Sequence, residues 1–105
     1  MIAWLHNQDI AYDIVTDDEL DRDGVAAISG YKAVLTGSHP EYHTSATLDA
    51  LKDYRDNGGG LIYLGGNGFY WRIVRHSEDP TLLEIRRSED GLRAWASEPG
   101  EYYNA

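Results

Sequence analysis

Apolar residues along the chain gather into short unbroken runs and one long stripe, and these two patterns predict different elements. Ala33-Val34-Leu35-Thr36-Gly37 and Leu61-Ile62-Tyr63-Leu64 are apolar runs of strand length without polar alternation. That is the pattern of strands covered on both faces in a parallel sheet. Ala11-Tyr12-Asp13-Ile14-Val15 is β-branched and aromatic and predicts a further strand. Between the two apolar runs, His43 to Asn57 carries Leu48, Leu51 and Tyr54 at helical spacing, with Asn57-Gly58-Gly59-Gly60 as terminator. Ile2, Leu5 and His6 sit at helical spacing around Trp4, as the last turns of a helix. Thr16 with Glu19 fits a capping box opening a short helix through Val25 and Ile28 that stops at Gly30. Near the end, Leu83 and Ile85 alternate with Glu84 and Arg86, the pattern of an edge strand.

Strands near Tyr12–Val15, Ala33–Thr36 and Leu61–Leu64, with a helix near Ser45–Asp56, define one α/β domain over residues 1–105. Short connections between them favour a parallel sheet with right-handed crossovers. The expected fold class is a three-layer, flavodoxin-like or class I glutamine-amidotransferase-like sheet. The chain begins within a helix, so this sheet is expected to lack its first strand, which in a flavodoxin-like order lies centrally. Two apolar strands left with an open slot between them are a template for association, hence the expectation of a homo-oligomer or a shifted strand order.

Composition narrows the function. The net charge of −9 argues against nucleic acid, because phosphate binding rests on clustered Lys and Arg. There is no cysteine, which removes disulfides, thiolate metal sites and a Cys nucleophile. No apolar run approaches the roughly 20 residues of a membrane helix, and no charged-then-apolar leader opens the chain. The expectation is a soluble, cytoplasmic protein without a membrane partner.

In parallel sheets, sites form beyond the carboxyl ends of strands. Two segments lie there: Gly37-Ser38-His39-Pro40-Glu41-Tyr42-His43 and Gly65-Gly66-Asn67-Gly68-Phe69-Tyr70-Trp71. Pro40 fixes its own φ and biases His39 toward extended backbone, so imidazole and the Glu41 carboxylate tend to share a side. Asn67 arrives from the next strand end between glycines that permit close backbone approach. The three groups could serve a metal, an acid/base pair or a polar substrate. The bland alternatives are a Glu41 that merely caps the following helix, a hydrogen-bonded loop His39, and aromatics that pack the sheet's rim. Tyr63, within a strand, reads as core, while His6, His43 and His76 read as surface residues. The glycines lack the Walker lysine and a G-x-G-x-x-G opening a helix, so nucleotide binding finds no support. The turn Thr36-Gly37-Ser38-His39-Pro40 carries no cysteine and no G-x-S-x-G elbow around Ser38, which rules out glutamine hydrolysis of the class I kind.

Longer strings are more specific. Val34-Leu35-Thr36-Gly37-Ser38-His39-Pro40-Glu41-Tyr42 and Tyr63-Leu64-Gly65-Gly66-Asn67-Gly68-Phe69-Tyr70-Trp71 resemble signatures of the N,N-dimethylformamidase large-subunit family. Tyr12-Asp13-Ile14-Val15-Thr16-Asp17 is similar to the family's preceding strand, and Ala94-Trp95 with Pro99-Gly100-Glu101-Tyr102 to its following segment. The likeness spans nearly all of this chain but a fraction of the family's large subunit.

The resemblance implies hydrolysis of small N-substituted formamides to formate and amine at a mononuclear iron held by two tyrosines and one glutamate. That glutamate falls on Glu41. The histidine two residues earlier falls on His39, expected to orient metal-bound water. The asparagine falls on Asn67, expected to contact water or substrate. The tyrosine ligands belong to upstream sequence and a further catalytic carboxylate to downstream sequence, so no tyrosine here inherits a ligand role. With Glu41 the one family ligand present, this piece is expected to hold no iron and to be inactive alone. The family also implies a small amide substrate and allows a small partner subunit. The alternative function is a non-catalytic α/β domain serving assembly or ligand binding within a larger protein. Iron content and formamide hydrolysis of the full-length protein separate the two.

Overall fold

A computed structural model describes residues 1–69 and 71–85. Its elements are α1 (Ile2–Asn7), α2 (Asp17–Asp23), a 3-10 turn (Gly24–Ala27), β1 (Ala33–Thr36), β2 (Tyr42–His43), α3 (Ser45–Asp56), β3 (Gly60–Tyr63), β4 (Trp71–Arg75) and β5 (Leu83–Ile85). β1 and β3 pair in parallel, Val34 opposite Leu61 and Thr36 opposite Tyr63. β2 pairs in parallel with β4, and β4 is antiparallel to β5. The result is an α/β domain with one parallel and one mixed sheet.

Local chemistry explains the helices. Thr16 accepts from the Glu19 N–H while the Glu19 carboxylate accepts from the Thr16 N–H, closing the expected capping box of α2. These bonds, led by the one from the Thr16 backbone, hold the Glu19 carboxyl below its ordinary range. Thr44 caps α3 by accepting from the Thr47 N–H. α3 ends as expected in its glycines: Gly58 has φ 92°, its N–H donates to the Arg55 carbonyl, and the Gly59 N–H donates to the Tyr54 carbonyl. That pair of bonds is a Schellman motif, and the left-handed position it needs is occupied by glycine.

The core joins α2, the 3-10 turn and α3 to one face of the β1–β3 pair: Leu20, Ile28, Ala50, Leu51 and Tyr54 are buried, with Val34 and Leu61 packed against them. The buried stripe of α3 is Thr47, Ala50, Leu51 and Tyr54, not the expected Leu48, which is exposed. Thr47 tolerates burial because its hydroxyl is hydrogen-bonded. Tyr63, expected in the core, is 42% exposed. Its ring is tilted against Phe69.

The expected strand at Tyr12–Val15 does not form. Residues 10–16 have no regular structure, and Ile14 is 63% exposed. A strand exists only through its ladder, and no backbone hydrogen bond joins residues 11–15 to β1 among the described residues. Instead, this segment and β1 flank a groove of about 860 Å³ lined by Ile10, Tyr12, Ile14, Ala33 and Leu35. Among the described residues, no helix is long and apolar enough to cross a membrane. Tyr70 itself, Arg86, Ala94-Trp95 and Pro99–Tyr102 lie outside the described residues.

Candidate functional site

β1 and β3 run in parallel, so the segments after Thr36 and after Tyr63 leave the same edge of the sheet. Backbone hydrogen bonds then join these two loops. The Gly66 N–H donates to the Ser38 carbonyl at 3.1 Å, the Phe69 N–H to the Pro40 carbonyl at 2.7 Å, and the Trp71 N–H to the Glu41 carbonyl at 2.8 Å. Beyond Glu41 the same two segments become the parallel β2–β4 pair. The loops are therefore one continuous zipper from Ser38 to His43.

Within it, each candidate residue has a defined place. The Glu41 N–H donates to the His39 carbonyl at 2.8 Å, a tight turn around Pro40 that suits proline's fixed φ. His39 lies against Gly66, since a Cβ on that glycine would stand 3.6 Å from His39 Nε2. Asn67, the next residue, sits at φ 48°, a left-handed conformation that asparagine tolerates. His39 and Asn67 are exposed and Glu41 half-buried. None of the three side chains has a hydrogen bond or ion pair among the described residues. α3 is capped by Thr44, so Glu41 does not cap the helix.

Around these uncommitted groups the support is dense. His43, expected at the surface, is only 6% exposed. Its Nε2 lies 3.0 Å from the Pro40 carbonyl and its Nδ1 3.1 Å from the Thr47 hydroxyl. The Phe69 ring stacks on it with centroids 5.1 Å apart. Phe69 has φ 58°, a strained value for an aromatic residue, which costs on the order of 1–3 kcal/mol and persists only where the surroundings enforce it. His76 also has partners, its Nδ1 accepting from the Glu78 and Asp79 N–H groups; His6 is exposed, as expected.

A second tie lies behind the zipper. Arg75 of β4 donates through Nε to Asp21 Oδ2 at 2.9 Å, and the Thr44 hydroxyl donates to Asp21 Oδ1 at 2.5 Å. Partial burial pushes the Asp21 carboxyl up, but the Thr44 and Arg75 hydrogen bonds and the Arg75 charge outweigh it and leave it below its ordinary range. Arg75 also reaches Asp18, which is 75% exposed, so the Asp21 contact, 15% exposed on the acid's side, carries more of the energy. Thr36, at the tip of β1, buries a hydroxyl without a partner among the described residues.

The donor set for a metal is small. Glu41 is one carboxylate with His39 two residues away, and no group of three His, Cys, Asp or Glu that could hold an ion exists among the described residues. These residues therefore do not complete an iron site by themselves, because a lone carboxylate gives little affinity.

Sequence reasoning did not find His43, Phe69 or the Asp21–Arg75 tie. The one local signal was His43 with Thr47, four apart across a helix start; the other partners meet only in the folded chain.

The family model described as "N,N-dimethylformamidase beta subunit-like, C-terminal" matches residues 1–105. The N,N-dimethylformamidase beta subunits of Alcaligenes sp and Paracoccus aminophilus are each 45% identical to the chain over 103 residues. That alignment covers 98% of this chain and 13% of each relative, so the chain spans about an eighth of their length. The chain belongs to the N,N-dimethylformamidase beta subunit-like family, matching its C-terminal model.

Proposed function

We propose that this segment forms one wall of an amide-hydrolysing site in a larger N,N-dimethylformamidase-like protein. The observation that carries this reading is the zipper itself: two loops locked by backbone bonds, holding His39, Glu41 and Asn67 with side chains that have no partner among the described residues. Rigid backbone under free functional groups is the arrangement a site needs, because positioning precedes chemistry. Glu41 would be one ligand of an iron whose remaining ligands come from residues outside 1–105. When bound, the metal would supply Lewis acidity toward an amide carbonyl and toward water. His39 would accept or return a proton at its imidazole nitrogen, and the Asn67 amide would donate toward oxygen of substrate or water. The substrate class is small N-substituted formamides.

Glu41→Gln in a full-length family protein carrying this segment tests the reading. Iron content should fall, and N,N-dimethylformamide hydrolysis should drop by more than the roughly 10–100-fold typical of losing a residue behind the ligands. Wild-type iron and turnover in that variant would favour the alternative, an assembly or ligand-binding domain that keeps these loops as scaffold.

The finer fold reading is a flavodoxin-like order, with a central strand seated in the groove between residues 10–15 and β1. The Gly60 N–H bonds to the Lys32 carbonyl, so alternation turns the backbone groups of Ala33 and Leu35 toward that groove. In the isolated chain, a second copy would cover this edge. Light scattering should then give at least twice the monomer mass of 11.8 kDa. A monomer at all concentrations would dismiss the second copy.

A further inference from the structure

The Pro40 carbonyl receives two donors. One is the Phe69 amide of the facing loop, at 2.7 Å. The other is His43 Nε2 of its own loop, at 3.0 Å. A carbonyl only accepts, so Nε2 carries the proton. With the proton on Nε2, Nδ1 accepts a hydrogen bond from the Thr47 hydroxyl, 3.1 Å away. Stacking on Phe69 keeps the ring in place.

That carbonyl belongs to the peptide unit joining Pro40 to Glu41. The same unit's N–H is held by the His39 carbonyl, and the next carbonyl, that of Glu41, by the Trp71 N–H. A peptide unit is planar, so fixing both its ends fixes its plane, and holding the Glu41 carbonyl as well sets the direction in which the Glu41 Cα–Cβ bond leaves the backbone. Of the two donors to Pro40, Phe69 presents its amide only from a strained left-handed backbone. The ring that packs on Phe69 and shares its acceptor is His43.

We propose that His43 is the positioning residue for Glu41, aiming its carboxylate through the Pro40–Glu41 peptide. This rests on the reading that Glu41 works in the site. Nothing in the role requires His43 to touch substrate or metal, and its burial keeps it from both.

The experiment has two parts. In the 105-residue chain, nitrogen-15 shifts of the His43 ring should show the Nε2-protonated form. His43→Ala should speed hydrogen exchange at the Glu41 and Phe69 amides at least about tenfold. His43→Gln, whose side-chain amide can still donate, should restore part of that protection. Leu51→Ala serves as control: it weakens the core without touching Pro40, so it should raise exchange evenly rather than at these two amides. In a full-length family protein, His43→Ala should lower kcat and iron occupancy by about 10–100-fold, with partial rescue in His43→Gln. An Nδ1-protonated ring overturns the proposal. So does a His43→Ala variant with unchanged amide exchange, or with wild-type kcat and iron while Glu41→Gln is inactive. If Glu41→Gln is itself fully active, the reading of the site falls first and takes this inference with it.

Discussion

Gly65→Ala should destabilise the chain by about 2–4 kcal/mol, among the larger effects of any single added methyl. The Cβ would stand 1.8 Å from the Ser38 carbonyl oxygen and 2.6 Å from its carbon. Both are backbone atoms, so no side-chain rotation relieves the overlap. The loops must separate, and the first bond of the zipper, from the Gly66 N–H to that same Ser38 carbonyl, is lost with them. For a domain of this size the melting temperature should fall by roughly 10–25 °C. Two other glycines give the contrast. Gly30→Ala meets nothing within 4 Å and should be near neutral. Gly66→Ala meets the His39 ring at an ordinary 3.6 Å, so stability should hold while the ring is pressed from one side. A Gly65→Ala protein melting within 2 °C or so of wild type would mean that the two loops are not joined at Ser38.

What could be read from the sequence was whatever has a local period. The runs at Ala33–Thr36 and Leu61–Leu64 became parallel strands, the second one residue earlier at Gly60–Tyr63, and Ser45–Asp56 is a helix. Thr16 with Glu19, and Asn57 with its glycines, acted within one turn of chain, where propensity and capping decide. Tyr12–Val15 had the composition of a strand but no ladder to join, and composition alone does not make one. β2 was illegible for the opposite reason. Tyr42 and His43 form a strand because Trp71 and Arg72 lie beside them, a pairing nearly thirty residues away. The placement of His39 and Asn67 on adjoining loops follows from the parallel strands that precede them. The burial of His43 does not, since it depends on how Pro40 turns its carbonyl and on Phe69 arriving from the other loop. Asp21 and Arg75 lie 54 residues apart, and no pattern along the chain links them.

Removing the Tyr54 ring should be the most damaging change in the core. Tyr54 is 4% exposed, and its ring fills the space beside Gly59 so closely that a Cβ there would lie 2.3 Å from ring carbons. It packs with Leu20, Ile28, Ala50 and Leu51. Its hydroxyl donates to the Tyr31 carbonyl at 2.8 Å, tying α3 to the segment entering β1. Tyr54→Ala should cost about 3–5 kcal/mol, the range for deleting a buried aromatic ring. Domains of this size have only about 5–15 kcal/mol in hand, so this variant should lose a large fraction of its stability. Tyr54→Phe keeps the ring and loses one hydrogen bond. The Tyr31 carbonyl can turn to water there, so about 0.5–1 kcal/mol is expected. Urea titrations of the three proteins decide it, because the midpoint should move while the slope stays constant if packing alone has changed. If Tyr54→Phe were as unstable as Tyr54→Ala, the hydroxyl rather than the ring would be holding α3 against the sheet.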